Sequence, residues 1–189
     1  MNRQIEVECV TNKENEMQKA EAKVIEKPII RNNRQGHRAA LVGMSNETKD
    51  IGLMFLQYND WYGSVVSFYP SGMSPKTSDN FGHSPDPVYG SKGAVVYYGQ
   101  VNQTTQGAWL LAWSAPIVTG GAVPPNNQVY VETGNKKDFD NIDWNVIEEK
   151  LDKSSKESNY TDQTTGCTAF AEINPNDDSA LILATFNAR

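Results

Sequence analysis

The chain has 189 residues and a formal net charge of −6, and its mean hydropathy is −0.57. That length fits one domain with a real core, and no apolar run approaches the roughly 20 residues of a membrane span. Residues 39–189 carry seventeen acidic and nine basic side chains, which argues against nucleic acid or anionic lipid as partner and leaves a neutral headgroup or a glycan open.

The first 36 residues predict a strand followed by a polar helix. Apolar and charged residues alternate over 5–9, as in a strand. A helix is predicted over 13–27, with Asn12 as its cap and Pro28 as its end. Its apolar stripe is thin, so we expect it on the outside of the domain rather than in a membrane. No apolar signal-peptide core is seen, so we expect a cytoplasmic protein or one exported without a leader, with peripheral membrane association.

From residue 37 the pattern predicts strands separated by turns. The predicted strands span 37–44, 51–58, 61–69, 93–98, 108–113, 128–133, 166–173 and 179–186. Asn59 and Asp60 are predicted to form a turn, and 70–90, which contains four prolines, is predicted to be a long loop. A second long loop is predicted over 117–127. The two most apolar strands, 93–98 and 108–113, are expected at the centre of the fold.

Another helix is predicted near 140–153, with Asp140 as its cap and Trp144, Ile147 and Leu151 on its apolar face. Few helices and many strands in series are typical of a mainly β protein. We therefore predict a single domain over 1–189. It comprises the strand and polar helix within 1–36 and a β-sandwich over 37–189, so that two helices flank the sandwich.

Patterns specific for catalysis or metal binding are not found in the sequence. His37 stands at a predicted strand start and His83 in the predicted 70–90 loop, where each is expected to be a surface residue rather than a base. Glu148 and Glu149 are adjacent on the predicted helix and so point in different directions. No Cys/His cluster, nucleophile elbow or phosphate-binding glycine loop occurs. We expect no enzyme activity, no cofactor and no metal.

The two cysteines, Cys9 and Cys167, each lie in a stretch of strand character. We interpret them as buried, reduced thiols. A disulfide between them stays open at this point.

Aromatic residues near turns are the main candidates for ligand binding. Tyr and Trp combine an apolar body with a polar tip, which suits both glycan stacking and the membrane interface. Trp109 and Trp113 lie four apart in one predicted strand and are expected in the core. Trp61 and Tyr62 follow a predicted turn with opposite orientations, so we expect one of them to be exposed. Tyr89 lies in the first long loop.

The stretch 93–137 resembles the centre of the actinoporin-like fold. Gly-Ala-Val-Val-Tyr at 93–97 resembles the strand that follows a glycine turn there, and Trp-Leu-Leu-Ala-Trp-Ser-Ala-Pro at 109–116 resembles the strand ending in Ser-x-Pro at the lipid-headgroup pocket. A closer resemblance is to the jasmonate-induced proteins of plants and the fungal nakanori-type proteins. In those families these runs precede a Val-Tyr-x-Glu strand and a Trp-bearing helix, which are here 129–132 and Trp144.

This resemblance implies an actinoporin-like β-sandwich that binds a neutral, choline-headed lipid, namely sphingomyelin with cholesterol. It makes Ser114 and Pro116 residues of the headgroup pocket, and we add Trp61, Tyr62 and Tyr89 as candidate ligand-binding residues. The resemblance to jasmonate-induced proteins implies a role in plant stress or defence.

Three departures from the pore-forming members argue against pore formation. Residues 117–127 contain no Tyr or Trp, and the tyrosine-rich helix is replaced by the acidic stretch 144–150. A pocket position that is apolar in those members is Lys92 here.

Two other hypotheses use the same fold. A lectin would need a shallow pocket with an aromatic platform and clustered Asn, Asp or Thr. A stress protein could act instead through a protein partner. The oligomeric state is not predicted.

Overall fold

A computed structural model describes residues 39–117, 126–174 and 179–189. The strands in this part of the chain are β1 (Ala40–Asn46), β2 (Leu53–Tyr62), β3 (Ser64–Val65), β4 (Gly72–Met73), β5 (Thr77–Ser84), β6 (Ser91–Gln100), β7 (Gln106–Ala115), β8 (Gln128–Asn135), β9 (Glu157–Thr161), β10 (Cys167–Ile173) and β11 (Ala180–Ala188). A 3-10 helix, Lys136–Phe139, and an α-helix, α1 (Trp144–Asp152), follow β8. The strand predicted over 5–9, the helix over 13–27, His37, Cys9 and most of the 117–127 loop lie outside the described residues, so the prediction of one domain over 1–189 stays a prediction.

The described strands form two sheets. One has six strands in the order β3-β5-β1-β11-β10-β9, and the other has five in the order β4-β2-β6-β7-β8. β1 and β11 pair in parallel, whereas the other pairs are antiparallel. The prediction of a mainly β sandwich is confirmed, and α1 is the second of the two predicted flanking helices.

Two apolar clusters hold β6 and β7 at the centre. The larger cluster fills the space between the sheets and includes Trp109 and Trp113, both fully buried as predicted. The smaller cluster lies on the other face of the five-stranded sheet, where Leu110 of β7 packs with Ile147 and Leu151 of α1. A strand that is buried on both faces has no solvent-facing side for polar residues. The central parts of β6 and β7 are therefore continuous apolar runs, not alternations of apolar and polar residues.

The helix begins later than predicted. Asp143, not Asp140, is the N-cap, and its Oδ1 accepts a hydrogen bond from the Asn145 N–H at 3.0 Å. Asp140 instead ends the 3-10 helix, where its carboxylate pairs with Lys136 at 2.5 Å. In the described residues, no helix has the length and apolar composition needed to cross a membrane.

Three secondary-structure predictions between residues 59 and 90 are wrong. The strand predicted over 61–69 is only the end of β2 and the two-residue β3, because the chain bends away after Val65. Asn59 and Asp60 do not form a turn, because β2 runs through them as far as Tyr62. The segment 70–90 is not one long loop, because it contains β4 and β5. β5 has little apolar alternation of its own, and pairing with β1 on one side and β3 on the other provides its backbone hydrogen bonds.

The same error misplaced His83. Its side chain belongs to β5 and is fully buried between the sheets, not on the surface of a loop. Cys167 is a buried free thiol, as predicted, and burial raises its pKa to about 11. β9 is absent from the prediction because its sequence, Glu-Ser-Asn-Tyr-Thr, is polar and mostly exposed.

Candidate functional site

One row of side chains crosses the end of the five-stranded sheet. Tyr62, the last residue of β2, pairs with Lys92 of β6. Lys92 pairs with Ser114 of β7, which in turn pairs with Gln128 of β8. Directly paired residues project from the same face of a sheet, and here that face carries α1. The row therefore brings two of the predicted site residues, Tyr62 and Ser114, together with a lysine.

A β-bulge places Trp61 beside this row. The register between β2 and β6 shifts between Asp60 and Tyr62, which breaks the strict alternation of side chains. Trp61 packs against Trp144 of α1, with ring centroids 6.2 Å apart in an edge-to-face arrangement. Trp61 and Tyr62 are both partly buried, so the prediction that one of them would be exposed is wrong.

A tight loop holds Tyr89 over Tyr62. The Oδ1 atom of Asp86 accepts hydrogen bonds from the backbone N–H groups of Val88 at 2.7 Å and Tyr89 at 2.9 Å. Gly90 closes the loop with a φ of +89°, and a Cβ there would lie 2.3 Å from the carbonyl oxygen of Ala115. The rings of Tyr62 and Tyr89 stack with centroids 4.6 Å apart. Tyr89 is 57% exposed, so its ring presents an aromatic surface to solvent.

Pro116 lies against the same loop. A Cβ on Gly90 would come within 3.0 Å of the Pro116 Cα. Ser114 is buried and Pro116 is partly buried. The five residues predicted for ligand binding thus converge on one end of the sheet. We call the group Trp61, Tyr62, Tyr89, Lys92, Ser114 and Pro116 the aromatic corner.

Lys92 is the cation of the aromatic corner and is neutralised within the protein. It is only 7% exposed, and its Nζ lies 2.7 Å from both Glu148 Oε1 and Asp152 Oδ1 of α1. Burial lowers the pKa of Lys92, but the hydrogen bonds and charges of Asp152 and Glu148 outweigh it and raise the pKa overall. The Nζ also lies 5.8 Å from the centroid of the Trp61 ring. Lys92 stays protonated and holds α1 to the sheet.

Sequence reasoning missed this ion pair although a signal was present. Glu148 and Asp152 are four residues apart, which places them on one face of a helix. Two carboxylates on one helix face favour a cation between them, and the prediction considered only the adjacent pair Glu148 and Glu149.

A buried polar network lies beneath the aromatic corner. His83 Nδ1 is 2.9 Å from Ser91 Oγ, within hydrogen-bonding distance. His83 Nε2 lies 3.3 Å from Asp60 Oδ1, a distance at which the two attract, but without the geometry of a hydrogen bond. The Tyr69 hydroxyl donates to Asp60 at 2.5 Å. Burial lowers the pKa of His83, although the negative charge of Asp60 acts in the opposite direction. Burial, and to a smaller extent the hydrogen bond to Asp60, raises the pKa of Tyr69. A neutral histidine and a neutral tyrosine thus flank one carboxylate.

The order of these groups, Ser-His-Asp, matches a hydrolytic relay, yet the setting does not. Ser91 and His83 are both fully buried, so a substrate cannot reach the serine oxygen. Ser91 Oγ also accepts a hydrogen bond from the Trp113 Nε1–H at 3.0 Å. We interpret the network as a brace that joins β2, β5, β6 and β7. The described residues contain no group of three or more His, Cys, Asp and Glu side chains that could hold a metal ion.

A second concave surface lies at the other side of α1. This cleft of about 320 Å³ is bounded by β8, the 3-10 helix, α1 and β9. We call it the acidic cleft, because its lining includes four carboxylates, those of Glu132, Asp138, Asp143 and Asp162. Asn141, Lys150 and Tyr160 also line it. Tyr160 is 39% exposed and supplies an aromatic ring.

Comparison with known proteins places the chain in a family. No family model matches the sequence. A jasmonate-induced protein homolog of Atriplex canescens is 38% identical over 155 residues, which are 82% of this chain and 82% of that protein. The crystal structure of the lipid binding protein Nakanori superposes with a TM-score of 0.64 at 16% identity, covering 94% of this chain and 80% of Nakanori.

The Xerocomus chrysenteron lectin XCL matches with a TM-score of 0.48 at 10% identity, covering 80% of this chain and 99% of the lectin. The resemblance predicted from the sequence is confirmed by the Atriplex relative and by the Nakanori fold. This chain belongs to the jasmonate-induced protein family.

Proposed function

We propose that this protein is a non-enzymatic membrane-recognition protein and that its aromatic corner binds a neutral, choline-headed lipid. The observation that carries the proposal is the exposed ring of Tyr89, which stacks on the partly buried ring of Tyr62. A quaternary ammonium group is attracted to the faces of aromatic rings. Tyrosine also suits the boundary between a bilayer and water, since its ring is apolar and its hydroxyl is polar.

The charges around the corner favour the ammonium end of such a headgroup over its phosphate. Two of the three N–H groups of Lys92 already point at carboxylates. Lys92, Glu148 and Asp152 together have a formal charge of −1, and the Asp152 side chain is half exposed. A phosphate therefore finds no unpaired lysine in the aromatic corner, whereas a choline group finds aromatic rings near a carboxylate.

One structural neighbour supports the same class of ligand. Nakanori, with which the chain shares its fold, is described as a lipid binding protein. We propose sphingomyelin together with cholesterol as the specific lipid, without pore formation. We also propose that the protein associates peripherally with the membrane.

Co-sedimentation with vesicles tests this proposal. Vesicles of phosphatidylcholine alone, of sphingomyelin, and of sphingomyelin with cholesterol are compared, with dye release measured in parallel. We expect binding to the sphingomyelin and cholesterol vesicles without leakage. We expect Tyr89→Ala to weaken binding roughly tenfold, because one aromatic–cation contact is worth about 1–2 kcal/mol when desolvated.

Tyr160→Ala is the matched control, since it removes another partly exposed tyrosine from the opposite side of α1. Binding that is lost equally in both variants, or absent with every lipid, would contradict the assignment to the aromatic corner.

The acidic cleft favours a second candidate function, which is saccharide binding. Its lining combines an exposed tyrosine ring with Asn141, Thr133 and several carboxylates, which can accept hydrogen bonds from sugar hydroxyls. A glycan array tests this directly. A specific hit that Tyr160→Ala abolishes and Tyr89→Ala preserves would assign the saccharide to the acidic cleft, and an array without hits would remove the candidate.

A further inference from the structure

The most exposed large apolar side chain in the described residues belongs to Phe68, between β3 and β4. Phe68 is 87% exposed, and Val66, two residues before it, is 46% exposed. Scattered apolar residues on a surface need no explanation, but an aromatic ring held almost entirely in water is unfavourable unless something covers it.

The loop around Phe68 is anchored on both sides, so the ring is held outward. Before it, the Val66 N–H donates to the carbonyl oxygen of Gly82 at 2.8 Å. After it, the Tyr69 ring packs against Phe81 with centroids 4.8 Å apart, and its hydroxyl donates to Asp60. The carbonyl oxygen of Pro70 accepts from the Tyr97 hydroxyl at 2.9 Å, and that of Ser71 accepts from the Phe55 N–H at 3.0 Å. With Tyr69 fixed inward, Phe68 has no route into the core.

The chain around Phe68 carries no charge. Residues 63–75 comprise β3, β4 and the loop between them that carries Phe68, and we call this whole segment the neutral loop. It contains no Asp, Glu, Lys or Arg. A charged side chain brought into an apolar environment must lose its hydration at a large cost. The neutral loop can enter the boundary of a bilayer without that cost, and its serines and backbone groups can remain hydrogen-bonded at headgroup depth.

The neutral loop starts at the aromatic corner. Gly63 directly follows Tyr62, and Ser64 pairs with Ser84, from which the Tyr89 loop departs. Because β3 and β5 are antiparallel, the chain leaves Val65 and Ser84 in opposite directions, one toward Phe68 and the other toward the Val88–Tyr89 pair.

We propose that Phe68, assisted by Val66, is a hydrophobic anchor that enters the headgroup–acyl boundary of a neutral bilayer while the aromatic corner binds the headgroup. This inference rests on the proposed lipid function and adds the element that inserts. The occupant is a bilayer of uncharged or zwitterionic lipid, since the neutral loop offers neither cation nor anion to a charged surface.

Site-specific labelling tests insertion directly. Phe68→Cys is prepared in a Cys9→Ser background and labelled with an environment-sensitive dye, while Cys167 is buried and unreactive to it. Phe170→Cys is the matched control, because Phe170 is 41% exposed on β10 in the six-stranded sheet. On adding sphingomyelin and cholesterol vesicles, we expect a blue shift of the dye at position 68 and none at position 170.

Binding measurements make the failures distinguishable. We expect Phe68→Ala to weaken vesicle binding at least tenfold, and Phe170→Ala to bind like the unaltered protein. If the unaltered protein binds vesicles but the dye at position 68 does not shift and Phe68→Ala binds normally, the anchor is wrong and the lipid function stands. If no vesicle composition is bound, both fail. A blue shift caused by raising the protein concentration alone would show that a second copy covers Phe68, and it would overturn the proposal.

Discussion

Tyr89 and Tyr160 are both exposed tyrosines, and the surroundings of the two rings differ sharply. Tyr89 lies at the aromatic corner beside the neutral loop, where residues 63–75 have no charged side chain. Tyr160 lies at the acidic cleft, within a stretch, 132–162, that holds nine acidic and five basic residues. An aromatic ring alone therefore does not define a ligand. The cost of removing water from its neighbours decides whether a bilayer or a hydrated polar molecule can approach.

Lys92 is the link between the two regions. It belongs to the aromatic corner, while both of its carboxylate partners are on α1, whose other side borders the acidic cleft. By pairing inward, it leaves the corner without a free cation and ties the acidic helix to the sheet. The following predictions separate the two regions, starting with the largest expected effect.

Gly90→Ala should disrupt the aromatic corner most strongly. The φ of +89° is unfavourable for alanine, and its Cβ would lie 2.3 Å from the Ala115 carbonyl oxygen. We expect unfolding to be easier by about 2–4 kcal/mol, measured by urea denaturation followed by tryptophan fluorescence. Gly52→Ala is the control, because nothing lies within 4 Å of a Cβ there. Equal stability of the two variants would contradict the description of the Tyr89 loop.

Lys92→Ala should break the link between the regions. It leaves Glu148 and Asp152 without their cation, and because both carboxylates are partly solvated we expect a loss of about 1–3 kcal/mol in urea denaturation. Lys153→Ala removes an exposed lysine that lies 3.5 Å from Glu149 on the same helix. That control should cost less than about 0.5 kcal/mol. A Lys92 variant that is no less stable than the control would show that this ion pair does not hold α1.

Acid should weaken the brace beneath the aromatic corner. Burial holds the pKa of His83 below its ordinary value of 6.5, so the unfolded chain takes up a proton before the folded chain does. The contribution of a neutral His83 to the stability of the fold is therefore complete at pH values above 6.5. It decreases as the pH falls from 6.5 toward the lower pKa of His83 in the folded protein. For one proton the slope is at most about 1.4 kcal/mol per pH unit.

The measurement is urea denaturation at a series of pH values between 7 and 5. His83→Gln should flatten the decline, whereas His37→Gln, which alters the other histidine of the chain, should keep it. A decline that is unchanged in His83→Gln would assign the effect to carboxylates instead.

Salt should have the smallest effect. Neither the neutral loop nor a zwitterionic bilayer carries net charge, so there is little long-range attraction to screen. We expect the affinity for neutral vesicles to change by less than about twofold between 50 and 500 mM salt. A steep loss of binding with salt would indicate that the charged side of α1 makes the contact.

The centre of the fold was predictable because its signal is local. β6 and β7 are buried on both faces, and each is a continuous apolar run in the sequence. The apolar face of α1 likewise appears at helical spacing, and only its start was misplaced, since Asp140 and Asp143 are equally good caps when judged alone.

The aromatic corner was predictable in its residues but not in its geometry. Resemblance to known families pointed to Ser114 and Pro116, and aromatic residues near predicted turns pointed to Trp61, Tyr62 and Tyr89. The stack of Tyr62 on Tyr89 depends on a bulge in β2 and on a loop closed by Gly90, and neither feature has a sequence pattern strong enough to predict it.

By itself, the amino-acid sequence determined the mainly β class, the two central strands, the core tryptophans and the uncharged character of residues 63–75. Only the tertiary structure decided that β5 is a strand, that His83 is buried and that Phe68 is held in water. The physical reason is the same in each case. Propensity and periodicity act between near neighbours in the chain, whereas these three outcomes depend on hydrogen bonds and packing with β1, β2, β6 and β7.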